Sequence, residues 1–132
     1  MQRQILLIDD NPMMGGFLSH LFGKKYDVMW CTQAEEALVW LQDRNIPDLI
    51  ISDYELMGMS GYDFLIEIKK TGFFKEIPVI MLSGKSDSQN RIQCLQAGAE
   101  DFIMKPFNPA ELELKVENLL AKTPTNILKS IS

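Results

Sequence analysis

Five side chains that could perform chemistry together follow short apolar runs of the chain: Asp9, Asp10, Asp53, Ser83 and Lys105. Each of them stands where a strand of a parallel sheet is expected to end. Ligands of open parallel sheets bind outside the carboxyl ends of the strands, so we expect these side chains to meet at one edge. Carboxylates crowd together only where a cation neutralises them or where one of them takes a proton. The sequence therefore predicts a cation site at this edge.

Magnesium is the cation that suits these residue types. An all-oxygen set without His or Cys favours Mg²⁺, which keeps several waters and commonly binds beside phosphate oxygens. Ser83 and Lys105 suit the same chemistry, because a transferred phosphoryl group needs a metal, a cation and a hydrogen-bond donor. Aspartate can act as the nucleophile and form an aspartyl phosphate. Asp53 stands alone on its strand whereas Asp9 and Asp10 are adjacent, so we predict that Asp53 is the acceptor.

The elements that must position these residues alternate along the chain. Five apolar runs have strand length: Ile5 to Ile8, Val28 to Trp30, Leu49 to Ile51, Val79 to Leu82, and Phe102 to Met104. Segments with helical periodicity separate the runs, which indicates βαβ units and a parallel sheet. The third run shows no polar alternation, as expected of a strand that is covered on both faces. The predicted fold class is α/β in a single domain.

Capping residues predict where the helices begin. The predicted starts are Asn11 with Pro12, a capping box from Thr32 to Glu35, Ser60, a cap within Ser86 to Gln89, and Asn108 with Pro109. We expect Gly72 to end the third helix in the left-handed conformation, and Pro124 to follow the end of the fifth. Phe17 belongs to the apolar stripe of the first helix, and Ile92 and Leu95 are the predicted inward residues of the fourth.

In this order, the five polar residues resemble the active site of a receiver domain from a two-component response regulator. Gly61, eight positions after Asp53, and the segment Lys105-Pro106-Phe107 strengthen the resemblance, which covers about residues 4 to 122. It implies a doubly wound, flavodoxin-like, five-stranded parallel sheet in the order 2-1-3-4-5. Residues 1–122 would form the receiver, and residues 123–132 a C-terminal tail or the start of a linker.

The resemblance also implies a set of residue roles. Mg²⁺ would be held by Asp10, Asp53 and the backbone carbonyl of Glu55, with Asp9 acting through water. Lys105 would pair with the phosphoryl group, and the Lys105-Pro106 bond would be cis. Autophosphorylation and autodephosphorylation would be the only catalytic activities, so the chain would not be an enzyme in the usual sense.

A conformational switch and its partners follow from the same resemblance. Ser83 would turn toward the phosphoryl group, and the aromatic Phe102 would move inward behind it. This movement would bias the face formed by the fourth helix, the fifth strand and the fifth helix toward binding a downstream target protein. The phosphoryl donor would be a sensor histidine kinase or a histidine phosphotransfer protein. The resemblance also allows a homodimer through that face.

Two features near Asp53 depart from the family pattern or add to it. The family usually has a proline four residues after the acceptor, and this chain has Met57 followed by Gly58. The expected consequence is a more flexible loop, because glycine widens the backbone choices that proline narrows. Glu55 adds a negative charge near the acceptor that Lys85 could offset, so we predict that these two residues tune hydrolysis of the aspartyl phosphate.

Net charge, cysteine spacing and the length of the apolar runs argue against several other classes of protein. The net charge of −5 argues against direct nucleic-acid binding, which needs clustered Lys and Arg. Cys31 and Cys94 lack the spacing of a zinc site or a redox motif, so we expect buried, reduced thiols. No apolar run has the length of a membrane span, and the first residues lack a signal-peptide pattern. We therefore expect a cytoplasmic protein without membrane contact and, since nothing after Lys122 resembles one, no output domain in this chain.

Two alternative functions remain compatible with the residues. A degenerate receiver that acts only as a protein-binding module is the first; the intact set of five polar residues argues against it, although the missing proline keeps it open. An Mg²⁺-dependent phosphohydrolase is the second, although the chain has no cap insertion and lacks the second acid usually found close to the nucleophile. Flavin binding on the same fold would need a phosphate-cradling loop after the first strand, and the sequence there does not supply one.

Overall fold

A parallel sheet of five strands forms the centre of the computed structural model, which describes residues 2–85 and 88–124. The strands are β1 (Gln4–Ile8), β2 (Asp27–Cys31), β3 (Leu49–Asp53), β4 (Val79–Ser83) and β5 (Asp101–Met104). They pair in the order β2-β1-β3-β4-β5, and every pairing is parallel. The predicted α/β fold and its strand order are confirmed.

Helices follow the strands and cover both faces of the sheet. They are α1 (Pro12–Gly23), α2 (Ala34–Gln42), α3 (Gly61–Lys70), α4 (Ser88–Gln96) and α5 (Pro109–Lys122). Successive side chains of a strand point to opposite faces, so Leu6 and Ile8 of β1 lie in the core with α2, α3 and α4. Ile5 and Leu7 lie in the second core with α1 and α5. All five residues of β3 are buried, as its unbroken apolar run predicts.

Asparagine followed by proline starts the two helices that flank the site. The side chain of Asn11 accepts hydrogen bonds from the first turn of α1, and Asn108 does the same for α5. Ser60 caps α3 by accepting from the N–H of Asp63 at 3.1 Å. These three predicted helix starts are confirmed, and each fixes where the chain turns after a strand end.

The predicted capping box of the second helix is wrong. The helix begins at Ala34, and Gln33 stands at the N-cap position without a side-chain cap. The N–H of Thr32 donates to Glu36 Oε1 at 3.1 Å rather than to Glu35. The Glu35 carboxylate is engaged elsewhere, because it accepts a hydrogen bond from the loop that follows β3.

The third helix ends without a left-handed glycine, so the prediction for Gly72 is wrong. Thr71 is the C-cap in an extended conformation, and its hydroxyl donates to the carbonyl of Ile68 and accepts from the N–H of Phe74. That hydroxyl makes the turn that glycine was expected to make. Within residues 2–85 and 88–124, the glycines with positive φ are Gly58 and Gly98.

Two predicted inward faces also differ from the structure. On α4, Ile92 and Leu95 are 53% and 37% exposed, and Cys94 is the residue that is buried against the sheet. On α1, Phe17 is 44% exposed, whereas Leu18 and Phe22 face the core. On both helices, only some of the apolar side chains pack against the sheet, and the others are partly exposed.

Two predictions concern residues outside the described part of the chain. The predicted cap within Ser86 to Gln89 is one, since residues 86 and 87 are not described, and residues 125–132 of the predicted tail are the other. The fifth helix ends at Lys122, and Pro124 follows it as expected. None of the helices in the described ranges has the length and hydropathy needed to cross a bilayer.

Candidate functional site

Three carboxylates meet at the carboxyl edge of the sheet. Asp9 and Asp10 follow β1, Asp53 ends β3, and one oxygen from each lies within 4.8 Å of the others. β1 and β3 are neighbours in the sheet, so the strand order itself brings these residues together. Asp9 and Asp53 are buried, at 1% and 5% exposure.

The predicted lysine lies beside this cluster. Lys105 Nζ is 3.2 Å from Asp53 Oδ2 and 3.9 Å from Asp9 Oδ2. Its main-chain N–H donates to the carbonyl of Ser83 at 2.7 Å, which fixes the end of β5 against the end of β4. The Lys105-Pro106 peptide bond is cis.

Burial dominates the electrostatics of the two buried carboxylates. It raises the pKa of Asp53 to about 6; Lys105 opposes this shift, and the charges of Asp9 and Glu55 add to it. Burial also raises the pKa of Asp9, against a hydrogen bond from the Asn11 N–H and the charge of Lys105. One lysine thus faces several acids, which leaves excess negative charge at this edge.

A divalent cation fits the donors that the site presents. The buried Oδ2 of Asp9 accepts no hydrogen bond from the described residues, and the ammonium of Lys105, with which it forms an ion pair, is 3.9 Å away. A hard cation in the cluster, or a water bound to it, would satisfy an oxygen in that position. Asp10 and Asp53 would be the direct carboxylate ligands, and all of the donors are oxygens.

The acidic pair is fastened to β2 by a contact that sequence reasoning missed. Trp30 Nε1 donates to the carbonyl of Asp9 at 2.9 Å, and the N–H of Asp9 donates to the carbonyl of Cys31 at 3.0 Å. The indole reaches this position across Gly15 of α1, where a Cβ atom would stand 2.2 Å from the ring. The one sequence feature that could have indicated this contact is the position of Trp30, an indole N–H donor near the end of the second apolar run.

The loop after Asp53 is held by two carboxylates in the absence of the expected proline. The N–H of Met57 donates to Asp10 Oδ2 at 2.9 Å, and that of Met59 donates to Glu35 Oε2 at 3.0 Å. Gly58 between them has a φ of 78°, a conformation that glycine adopts without steric cost. Glu35 is a second residue that sequence reasoning missed, because its partner lies 24 positions away.

Ser83 and Glu55 form a direct pair. The Ser83 hydroxyl donates to Glu55 Oε2 at 2.7 Å, and the N–H of Gly84 donates to Glu55 Oε1 at 2.9 Å. The N–H of Glu55 in turn donates to Asp53 Oδ1 at 3.3 Å. Within the described ranges, the partners of the Glu55 carboxylate are therefore Ser83 and Gly84, whereas the N–H of Lys85 donates to the Ser83 hydroxyl oxygen.

Phe102 lies on β5 in register with Met81 of β4, the strand that ends at Ser83. It is 2% exposed, and its ring meets that of Tyr54 edge-on, with 6.1 Å between centroids. Arg91 of α4 donates to its carbonyl at 3.0 Å. Phe102 is thus buried beside Tyr54, the residue after Asp53, and its main chain is hydrogen-bonded to α4.

Comparison with known proteins gives one consistent family. A sequence model described as "Response regulator receiver domain" matches residues 5–117. An uncharacterized transcriptional regulatory protein of Bacillus subtilis, YbdJ, is 39% identical over 118 residues, which are 89% of this chain and 50% of that protein. The phosphate regulon transcriptional regulatory protein PhoB of Pseudomonas aeruginosa is 34% identical over 92% of this chain and 53% of its own length. The chain thus spans about half the length of these two relatives.

Solved structures agree with this assignment. A putative response regulator from Chloroflexus aurantiacus superimposes with a TM-score of 0.85 and 32% identity, over 92% of this chain and all of the other. The receiver domain of the sensor histidine kinase PA1611 from Pseudomonas aeruginosa gives a TM-score of 0.82 at 28% identity, over 92% of this chain and 100% of its own. That structure holds a magnesium ion in its active-site cleft.

Proposed function

Because this chain belongs to the response regulator receiver domain family, we propose that it accepts a phosphoryl group on Asp53 with Mg²⁺ bound. The observation that carries the proposal is the buried carboxylate of Asp53, 3.2 Å from the Lys105 ammonium and clustered with Asp9 and Asp10. A nucleophile, an amine to balance phosphoryl charge and a set of oxygen ligands stand together at one edge.

The proposed metal ligands are Asp10, Asp53 and the backbone carbonyl of Glu55, with Asp9 acting through water. Bound Mg²⁺ would neutralise charge on the phosphoryl oxygens and on the clustered carboxylates. Asp53 attacks the phosphorus of a phosphohistidine, so that a P–O bond forms while the P–N bond breaks and the imidazole leaves. Lys105 stays beside the acceptor and balances the oxygens that Asp53 has gained.

The signalling part of the proposal uses Ser83 and Phe102. A phosphoryl group on Asp53 would draw the Ser83 hydroxyl toward it and change the packing of Phe102 behind it. That shift would bias the face made by α4, β5 and α5 toward a downstream target protein or a second copy of this chain. The donor is a histidine kinase or a histidine phosphotransfer protein, and we place the exchange in the cytoplasm as part of the same proposal.

Intact-mass measurement tests the acceptor assignment. The protein is incubated with Mg²⁺ and acetyl phosphate, and Asp53→Asn is compared with the wild type and with Asp63→Asn. Asp63 is an exposed carboxylate in the first turn of α3, so its amide variant is a matched control. The wild type and the control are expected to gain one phosphoryl group, and Asp53→Asn is expected to gain none.

Two outcomes would contradict the proposal. A phosphoryl group on Asp53→Asn would assign a different acceptor. Absence of modification in all three proteins, together with calorimetry that detects no Mg²⁺ binding, would favour the degenerate receiver that acts only as a binding module.

A further inference from the structure

The Glu55 carboxylate occupies two hydrogen-bond donors at the end of β4, the strand that pairs with the one ending at Asp53. Its two oxygens accept from different groups: Oε2 from the Ser83 hydroxyl at 2.7 Å, and Oε1 from the Gly84 N–H at 2.9 Å. Glu55 lies two residues after Asp53, and its own N–H donates to the acceptor carboxylate at 3.3 Å. An anionic side chain therefore holds both donors at the end of the strand beside Asp53.

The Ser83 hydroxyl cannot serve two acceptors at the same time. A serine hydroxyl has one hydrogen, and here the N–H of Lys85 also donates to its oxygen, at 3.1 Å. The residue is fully buried, so water cannot replace either partner freely. While the hydrogen points to Glu55, it is unavailable to a phosphoryl oxygen on Asp53.

Charge makes the two occupants mutually exclusive. A phosphoryl group carries about −1.5 to −2 charges at neutral pH, and a carboxylate against the same donors would be strongly repelled. Lys105, the cation of the site, pairs with Asp53 and Asp9, so it does not neutralise Glu55 in this arrangement. One of the two anions must leave.

We propose that Glu55 is an internal competitor of the phosphoryl group, which holds the Ser83 hydroxyl and the Gly84 N–H until phosphorylation displaces it. This inference rests on the proposed acceptor role of Asp53. Binding of a phosphoryl group then requires a state in which the Glu55 side chain has left the two donors. The apparent affinity for the phosphoryl group is the affinity of that state multiplied by the fraction of molecules in it. Glu55 is thus a residue that sets how strongly the site favours phosphate-like anions.

Titration with beryllium fluoride in the presence of Mg²⁺ measures this competition, because the fluoride complex imitates a phosphoryl group on a carboxylate. Glu55→Ala is compared with the wild type and with Glu67→Ala, which removes an exposed acid from α3. We expect Glu55→Ala to bind about tenfold more tightly, as the loss of one competing charged hydrogen-bond pair implies, and Glu67→Ala to match the wild type.

A double-mutant cycle separates competition for the hydroxyl from simple charge repulsion. Both comparisons are repeated with Ser83→Ala, which removes one of the two contested donors. Competition predicts that Glu55→Ala then improves binding by less than about threefold, because only the Gly84 N–H remains contested. An undiminished tenfold gain in this background would assign the effect to repulsion alone and overturn the proposal.

Amide hydrogen exchange tests the resting contact without any phosphoryl group. The Gly84 N–H is expected to exchange faster in Glu55→Ala than in the wild type, and equal rates would overturn the contact. Beryllium fluoride binding with equal affinity in wild type and Glu55→Ala would overturn the competition and leave the acceptor role standing. Absence of binding in every variant would overturn the acceptor role and the competition with it.

Discussion

Replacing Asp53 by asparagine is expected to stabilise the metal-free protein. Asp53 is 5% exposed and shares its site with Asp9, so its charge is costly when no cation is bound. Asparagine keeps the shape of the side chain and removes the charge. The proposed acceptor should therefore weaken the fold that contains it.

The magnitude of this gain follows from the pKa of Asp53. Burial raises the pKa of Asp53 from 3.8 to about 6, a difference of roughly two units, and each unit corresponds to about 1.4 kcal/mol. Because the folded protein binds the proton more tightly than the unfolded chain, stability falls as pH rises between about 4 and 6. Above that window the ionised carboxylate costs up to about 3 kcal/mol, a figure that already includes the favourable charge of Lys105. We expect a net gain of about 1–3 kcal/mol at pH 7.5 and little difference below pH 4.

Urea unfolding with a chelator present measures this gain at the two pH values. Addition of Mg²⁺ should then raise the stability of the wild type and leave Asp53→Asn nearly unchanged, since the variant lacks one proposed ligand. The reasoning would be refuted by a variant that is less stable than the wild type at pH 7.5. A gain that persists unchanged below pH 4 would also refute it, because the carboxylate is then protonated.

Three further predictions concern neighbouring parts of the molecule. Gly15→Ala should lower the free energy of unfolding by about 1–3 kcal/mol, because a Cβ atom there would lie 2.2 Å from the Trp30 ring. Gly16→Ala should raise the free energy of unfolding by about 0.5–1 kcal/mol, because a Cβ atom there would have nothing within 4 Å. Urea unfolding of both variants measures this contrast. Trp30→Phe removes the indole hydrogen bond to the main chain of the acidic pair and should weaken Mg²⁺ binding about three- to tenfold by calorimetry; unchanged affinity would contradict this role. Burial raises the pKa of Cys31 to about 12 and that of Cys94 to about 11, so a disulfide reagent at pH 8 should label both thiols only after denaturation, and labelling of the native protein would contradict it.

The sequence predicted the parts of this fold that depend on local chemistry. Uninterrupted apolar runs located the strands, and asparagine before proline located the helices that flank the site. The site residues could be grouped in advance because parallel strands deliver their carboxyl ends to one edge. The side of α4 that faces the sheet could not be predicted, because a short helix with so few apolar residues has several rotations of nearly equal free energy. In the structure, Cys94 rather than Ile92 packs against the sheet.

Long-range hydrogen bonds were the other feature beyond the reach of sequence patterns. The Trp30 indole meets a carbonyl 21 positions away, and Glu35 meets an N–H 24 positions away. Local spacing predicted a capping role for Glu35 instead. Such partners are chosen by the way in which whole elements pack, so a capping pattern competes with tertiary contacts that the pattern does not contain.

Two long-range hydrogen bonds anchor the backbone of the loop after Asp53. Asp10 accepts the Met57 N–H through Oδ2 and can coordinate a cation through its other oxygen, since a carboxylate offers about four lone-pair sites. Glu35 fastens Met59 from outside the metal cluster, so Mg²⁺ does not compete for it. The loop beyond Glu55 is thus anchored by two carboxylates that can keep these hydrogen bonds when a cation binds. We infer that, within this loop, the response to phosphorylation is concentrated in the Glu55 side chain, which can leave Ser83 while the hydrogen bonds of the loop backbone stay in place.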